Sequence, residues 1–267
     1  MITSTANKQV RLAAGLRDKA KVRREEGLFL AEGLRMCREL RPEETRQVFV
    51  TAAFRAQAEN ARWLKAYPWE EVSDQVMDYM AGTQTPQGII ALARQRSWSL
   101  GELLKGNGRP ACLMVLETLQ DPGNLGTILR AGEGAGITGV VMNRETADVY
   151  NPKVIRSTMG SLMRVPFVYV DSLRTALEEM KAAGIRVFAA HLKGERDYDQ
   201  EDYRGPSAFL IGNEANGLTE ETAGLADRLV KIPMCGRVES LNAAVAASVL
   251  MFEAARQRRA QAGAGKS

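Results

Sequence analysis

The feature that most constrains the fold begins at Cys112. Six short apolar runs, at 112–116, 139–142, 167–170, 186–190, 208–211 and 229–232, recur along the chain. Helical segments such as 123–134 and 172–183 lie between several of them, and a long helix over 241–259 comes last. Strands that are almost continuously apolar and alternate with helices predict an α/β domain, with a mostly parallel sheet covered on both faces. In such sheets ligands bind beyond the carboxyl ends of the strands, so the loops after Leu116, Ala190, Ile211 and Ile232 are the candidate site.

The first 95 residues read as a separate, smaller α/β domain. Helix is expected over 34–40, strand over 47–51 and helix over 52–66, with Pro68 just beyond. Ser73 is a natural N-cap for a helix over 74–80, and Gly88 opens a strand over 89–93. Residues 96–110 hold Gly101, Gly106, Asn107, Gly108 and Pro110 and few large apolar side chains, which predicts an interdomain linker with one helical turn at 100–104. The second domain then spans 111–259, and the small, polar residues 260–267 predict a disordered tail.

Composition removes several function classes. His191 is the only histidine, and Cys37, Cys112 and Cys235 are far apart, so neither a His-rich zinc site nor a disulfide framework is expected, and no metal is assigned. No apolar run approaches the roughly 18 residues of a membrane span. The N-terminus lacks the apolar core of a signal peptide, so a cytoplasmic protein is expected. The net charge is +4, and its distribution is uneven: seven Lys or Arg lie within the first 24 residues against one acid, Asp18. A second basic cluster comprises Arg256, Arg258, Arg259 and Lys266. Such clusters are either solvated helix faces or phosphate contacts. On the second reading Lys8, Arg11, Arg17, Lys19, Arg23 and Arg24 are the candidate phosphate contacts. The run Gly132–Gly136 is not a dinucleotide loop, because it ends a helix and precedes a strand instead of the reverse.

Three segments carry the chemistry: LETLQDPGNLGTILR (116–130), FLIGNEANGLTEE (209–221) and VKIPMCGRVESLNAAVAA (230–247). Taken singly, Asn124 and Gly126 suit an ordinary helix start, Arg130 a surface arginine, Glu214 a solvated acid in a turn, and Ser240 with Asn242 an N-cap pair. Their joint order and spacing resemble the SpoU, or TrmH-type, family of RNA ribose methyltransferases of the SPOUT superfamily. Asn124, Gly126 and Arg130 match its first motif. Gly212, Glu214, Gly217 and Leu218 match the second, and Ile232, Pro233, Met234 with Ser240, Leu241, Asn242 the third. The stretch 151–166 is similar to the family's connector, and the resemblance covers about 110–256. FLAEG (29–33) and TPQGI (85–89) are weaker signs of the substrate-binding domain such enzymes often carry.

The resemblance implies a deep trefoil knot in the C-terminal domain and a homodimer through the knot helices. It implies S-adenosylmethionine, held bent by Ala190, His191, Ile211, Gly212, Asn213, Ile232, Met234, Ser240, Leu241 and Ala246. It implies methyl transfer to a ribose 2′-hydroxyl of ribosomal RNA, or of transfer RNA, with Arg130, Asn124, Glu214, Ser240 and Asn242 as the catalytic set. A guanidinium stays protonated at any working pH, so Arg130 is expected to grip and polarise the ribose-phosphate and not to act as a literal base. The rival readings are a non-catalytic RNA-binding assembly factor of the same fold and a base methyltransferase of the same superfamily. An antibiotic-resistance methylase is a variant of the leading reading that stays open.

Overall fold

The structure, a computed structural model, describes residues 1–264. It divides into two compact units: Met1–Arg96 with Asp148–Met163, and Ser97–Ala147 with the chain from Arg164 onward.

The first unit is built on a four-stranded sheet, β1 (Leu28–Glu32), β2 (Thr45–Val50), β3 (Trp69–Glu71) and β4 (Ile89–Arg94), in the order β1-β4-β2-β3. β4 is antiparallel to both β1 and β2, and β3 runs parallel to β2. Leu16, Leu30, Phe49, Val76, Met80 and Ile90 are among the side chains that fill one core. Ser73 caps Asp74–Met80 as its position predicts, its hydroxyl accepting from the Val76 N–H. The helix expected over 52–66 is broken instead, because Gln57 is extended between Ala52–Ala56 and Ala58–Leu64. The helix expected over 34–40 stops at Cys37.

Two further helices, Lys8–Asp18 and Ala20–Glu26, lie outside the expected elements and carry the N-terminal basic cluster. They settle the role of Arg23, which is a correction to the set of RNA contacts. Arg23 is only 3% exposed. Its guanidinium pairs with Asp148 at 2.7 Å and donates to the carbonyl oxygens of Leu16 and Arg17. It therefore holds the late segment Asp148–Met163 in this unit, and a phosphate cannot reach it. Tyr150 adds to that anchoring by packing its ring 4.9 Å from Phe29. Arg17 is committed in part, to Asp18 and to the carbonyl oxygens of Tyr79 and Ala81. Lys8, Arg11, Lys19 and Arg24 are exposed.

The second unit is a seven-stranded sheet in which every pairing is parallel. Its strands are β5 (Cys112–Leu116), β6 (Gly139–Asn143), β7 (Phe167–Val170), β8 (Arg186–Ala190), β9 (Arg196–Asp197), β10 (Ser207–Ile211) and β11 (Arg228–Lys231). Their order is β7-β6-β5-β10-β8-β11-β9. The chain thus builds outward from β5 to β7, then returns to build on the opposite side. That reversal at β5 and β10 is the kind of switch point where open α/β sheets bind ligands. The residues expected to form a linker are not a tether. Leu100–Leu104 is helical, with a Ser99/Glu102 capping box, and Leu103 is 2% exposed in the core beside Leu113 and Val141.

The helix Pro122–Ala135 starts one residue before the expected 123–134. Pro122 occupies its first position, where its missing N–H costs nothing, and the Asp121 side chain caps the Asn124 N–H at 2.8 Å. The last helix, Ala243–Ala264, packs against it. That helix includes 260–264, so the tail expected there is helical as far as it is described. Residues 265–267 lie outside the described residues.

Candidate active site

β5, β10 and β11 end at one rim of the second sheet, and each hands the chain to one of the three motif segments. The first is the N-terminus of Pro122–Ala135. Its first turn holds Asn124 buried, while Thr127, Arg130 and Gly134 fall on the exposed face of the same helix. The second is the loop leaving β10. It folds back on itself through reciprocal Asn213–Gly217 backbone hydrogen bonds. At Gly212 a Cβ would lie 2.1 Å from the carbonyl carbon of Gly217, so glycine is required there by close approach of backbone. The third is the segment leading into Ala243–Ala264, where Asn242 Oδ1 accepts from the N–H groups of Ala244 and Val245 and so caps the helix.

One carboxylate and two amides tie these segments together. Glu214 Oε1 accepts from Asn124 Nδ2 at 3.0 Å and from the Asp121 N–H at 2.9 Å, and Oε2 accepts from the Gln120 N–H at 3.1 Å. Asn124 Oδ1 in turn accepts from Asn242 Nδ2 at 2.9 Å. Partial burial works to raise the Glu214 carboxyl, but the donors from Asn124, Asp121 and Gln120 outweigh it and hold the group below its ordinary range. The buried Asn124 uses one donor and one acceptor of its amide inside this network and so ties the three segments together. Asp121, which is not among the expected catalytic residues, belongs to the same network; an Asp-Pro step at a helix start is the signal that marks it.

Beside the network lies a cavity of about 480 Å³, within the range typical of ligand sites. All ten residues expected to hold the cofactor line it: Ala190, His191, Ile211, Gly212, Asn213, Ile232, Met234, Ser240, Leu241 and Ala246. Glu214 and Asn242 line it too, as do Lys193 and Glu239, which no motif singles out. Its walls are the apolar side chains of Ile211, Ile232, Met234 and Leu241, interleaved with backbone from three loops. Ser240 is exposed and makes no side-chain hydrogen bond among the described residues, so Asn242 alone provides the helix cap. His191 Nδ1 accepts from the Lys193 N–H at 3.1 Å, which shapes its own turn. Of the expected catalytic residues, Asn124 and Arg130 do not line the cavity. The Arg130 side chain is exposed and has no hydrogen-bond or ionic partner among the described residues. No group of His, Cys, Asp and Glu among the described residues could hold a metal ion, and no helix there is long and apolar enough to cross a membrane.

The fold is shared with solved methyltransferase structures. Residues 111–252 match the SpoU rRNA Methylase family, and residues 7–91 match the MRM3-like substrate binding domain. The chain belongs to the SpoU rRNA methylase family. Among its relatives is the 23S rRNA (guanosine-2′-O-)-methyltransferase RlmB of Ralstonia nicotianae, 38% identical over 67% of this chain and 73% of the relative. RlmB of Xylella fastidiosa is 36% identical over 81% and 90%. Among solved structures, an AdoMet-bound rRNA methyltransferase from Sinorhizobium meliloti superposes with a TM-score of 0.83 at 32% identity, covering 96% of this chain and 97% of the other. The SpoU methyltransferase AviRb from Streptomyces viridochromogenes, in complex with AdoMet, has a TM-score of 0.83 at 28% identity over 95% and 98%.

Proposed function

We propose that this protein transfers a methyl group from S-adenosylmethionine to a ribose 2′-hydroxyl of ribosomal RNA. The observation that carries this reading is the convergence of the three motif segments, through Glu214, Asn124 and Asn242, beside one cavity lined by every residue expected to hold the cofactor. The site suits the group. Apolar walls at Ile211, Ile232 and Leu241 favour the adenine, strand-end backbone groups favour its polar edge, and Glu214 and Glu239 favour a cationic sulfonium. When bound, S-adenosylmethionine supplies the electrophilic methyl carbon. The relatives named for 23S rRNA support ribosomal RNA as the substrate.

The chain's own work is positioning. Holding two reactants in line contributes up to roughly 7–11 kcal/mol in favourable cases. Glu214, Asn124 and Asn242 fix the loop and both helix starts relative to one another, so the cavity is preformed. Arg130 binds and polarises the ribose-phosphate, while the hydroxyl proton leaves to phosphate or water. Ser240, exposed at the cavity, is the hydroxyl available to the incoming nucleotide. The exposed Lys8, Arg11, Lys19 and Arg24, with Arg17 in part, supply phosphate contacts from the first unit, the region that matches a substrate binding domain.

The active form is a cytoplasmic homodimer whose knotted second unit carries the interface. Three features support the dimer. Val245 and Phe252 on the last helix are 49% and 47% exposed. The Phe252 ring approaches Gly134, so it shares a surface with Arg130, one turn earlier on that helix. Arg130 is without a partner among the described residues of its own chain, as expected of a group that completes its setting in an assembly. The test is methylation of ribosomal RNA with labelled S-adenosylmethionine, followed by nuclease digestion and nucleoside analysis. A 2′-O-methylnucleoside is expected. Label on a base would replace the ribose reading by the base-methyltransferase rival. RNA binding without cofactor binding would replace it by the assembly-factor rival.

A further inference from the structure

Thr118, two residues past the end of β5, adopts φ +54°, a left-handed conformation that a β-branched residue rarely takes. Such backbone persists only where its surroundings over-determine it. Here the surroundings include two asparagine side chains. Asn143, at the end of β6, grips Thr118 from both sides: Oδ1 accepts from the Thr118 N–H at 2.8 Å, and Nδ2 donates to Thr118 Oγ1 at 2.8 Å. The Thr118 N–H can only donate, which fixes the orientation of the amide, and the buried Thr146 hydroxyl donates to the same Oδ1 at 2.7 Å. The Thr118 carbonyl then accepts from Asn213 Nδ2 at 2.9 Å. Asn213 Oδ1 accepts from the N–H groups of Ala215 and Asn216, so that one side chain shapes the tip of the loop leaving β10.

We infer that Asn143 is a positioning residue for the methyl-donor loop, acting through the strained Thr118 backbone and Asn213. The relay runs from the end of β6, across the end of β5, to the loop that lines the cavity. Asn143 and Thr118 do not line the cavity, and Asn213 does. The loop has a second anchor, at its exit. The buried Glu117 carboxylate accepts from the Thr219 N–H and hydroxyl, both at 2.8 Å. With the exit fixed by Glu117 and the tip tied to Asn124 by Glu214, the Asn143 relay sets the remaining degree of freedom, the height of Asn213 over the sheet rim.

The inference rests on reading the 212–218 loop as the donor's cradle. It is tested on the full chain by calorimetric titration with S-adenosylmethionine, alongside steady-state kinetics on ribosomal RNA and thermal melting. Asn143→Ala is expected to weaken donor binding about tenfold, the loss of one well-made hydrogen bond, with the effect appearing in KM for the donor and not in kcat. Glycine adopts the left-handed conformation freely. Adding Thr118→Gly to Asn143→Ala is therefore expected to restore affinity to within about twofold of the Thr118→Gly single variant. Wild-type affinity in Asn143→Ala, or a double variant weaker than the Thr118→Gly single variant by clearly more than about twofold, would overturn the relay while leaving the methyltransferase reading intact. Loss of affinity that merely follows melting below the assay temperature would overturn it as well. Wild-type protein that bound no donor would instead remove the functional reading, and the relay with it.

Discussion

Asn124 Oδ1 accepts a hydrogen bond from Asn242 Nδ2 at 2.9 Å, although 118 residues separate the two in the chain. Through Asn124 Nδ2 the bond continues to Glu214, so a single side chain couples the starts of two helices to the loop between them. Asn124→Ala removes a donor from a carboxylate and an acceptor from Asn242 at once. Hydrogen bonds to charged groups contribute about 1.5–3 kcal/mol, so calorimetry should show donor affinity reduced by at least tenfold. Asn124→Asp should be worse than alanine, because it faces Glu214 with a second carboxylate. Equal affinity in wild type and Asn124→Ala would show that the network does not shape the cavity.

Arg130 is expected to separate stability from chemistry. Its exposed side chain, unpartnered among the described residues, predicts an unchanged melting temperature for both Arg130→Ala and Arg130→Lys. Turnover on ribosomal RNA should fall by roughly 10²-fold in either, since lysine cannot reproduce the planar fork of a guanidinium on a ribose-phosphate. A lysine variant that kept most of the turnover would mean that charge alone suffices there.

Arg23 and the exposed basic residues near it should behave oppositely. Arg23→Ala leaves Asp148 without its partner and two carbonyls without their donor. It should cost about 3 kcal/mol in chemical denaturation, the low end for breaking a buried pair because Asp148 is partly exposed. Lys8→Ala and Arg11→Ala should leave stability unchanged, and each should lower the salt dependence of RNA binding by about one phosphate contact. Filter binding across a salt series distinguishes these outcomes.

The lowered carboxyl of Glu214 predicts the acid limit of the site. A folded-state value below the unfolded one stabilises the folded loop in full above the ordinary carboxylate range. That contribution is lost as pH falls through the lowered value. Donor binding should therefore be flat from neutral pH down to about 4.3, the ordinary glutamate value, and decline only below it. Glu214→Gln should bind more weakly at neutral pH and lose this acid limb, measured by titration across the pH series.

Gly212→Ala tests the close approach in the loop. The added carbon meets backbone at 2.1 Å, not the end of a flexible side chain, so the loop must open. The expected cost is about 1–3 kcal/mol in stability together with loss of measurable donor binding. Ala215→Gly, at the exposed tip, is the control and should do neither.

Much of the second unit is legible in the sequence because its strands are buried on both faces. Cys112–Leu116 and Arg186–Ala190 appear where the apolar runs place them, and so does the edge strand Phe167–Val170, which is apolar though partly exposed. The opposite edge is harder: β9 is two residues long, and its residues, Arg196 and Asp197, are both charged. In the first unit, the helix break at Gln57 leaves no mark in the pattern of apolar residues, because tertiary packing and not local propensity decides it. The basic count near the N-terminus could not distinguish Arg23 from Arg24. One is buried against Asp148 and the other is in solvent, a difference set by which side of a short helix faces the core.

Periodicity is a local property of the chain and suffices for the α/β class, while the three motif segments point to ten of the cavity-lining residues only through their resemblance to a known family. Four further features arise only on folding. Asn124 joins Glu214 to Asn242, Arg130 stands away from the cavity, Asp148–Met163 belongs with the first unit, and Asn143 holds Thr118 in a strained turn. Each of these depends on a hydrogen bond, an ion pair or a packing choice between residues far apart in the chain. Their partners are fixed by how the sheet and helices come together, and one-dimensional spacing does not carry that information.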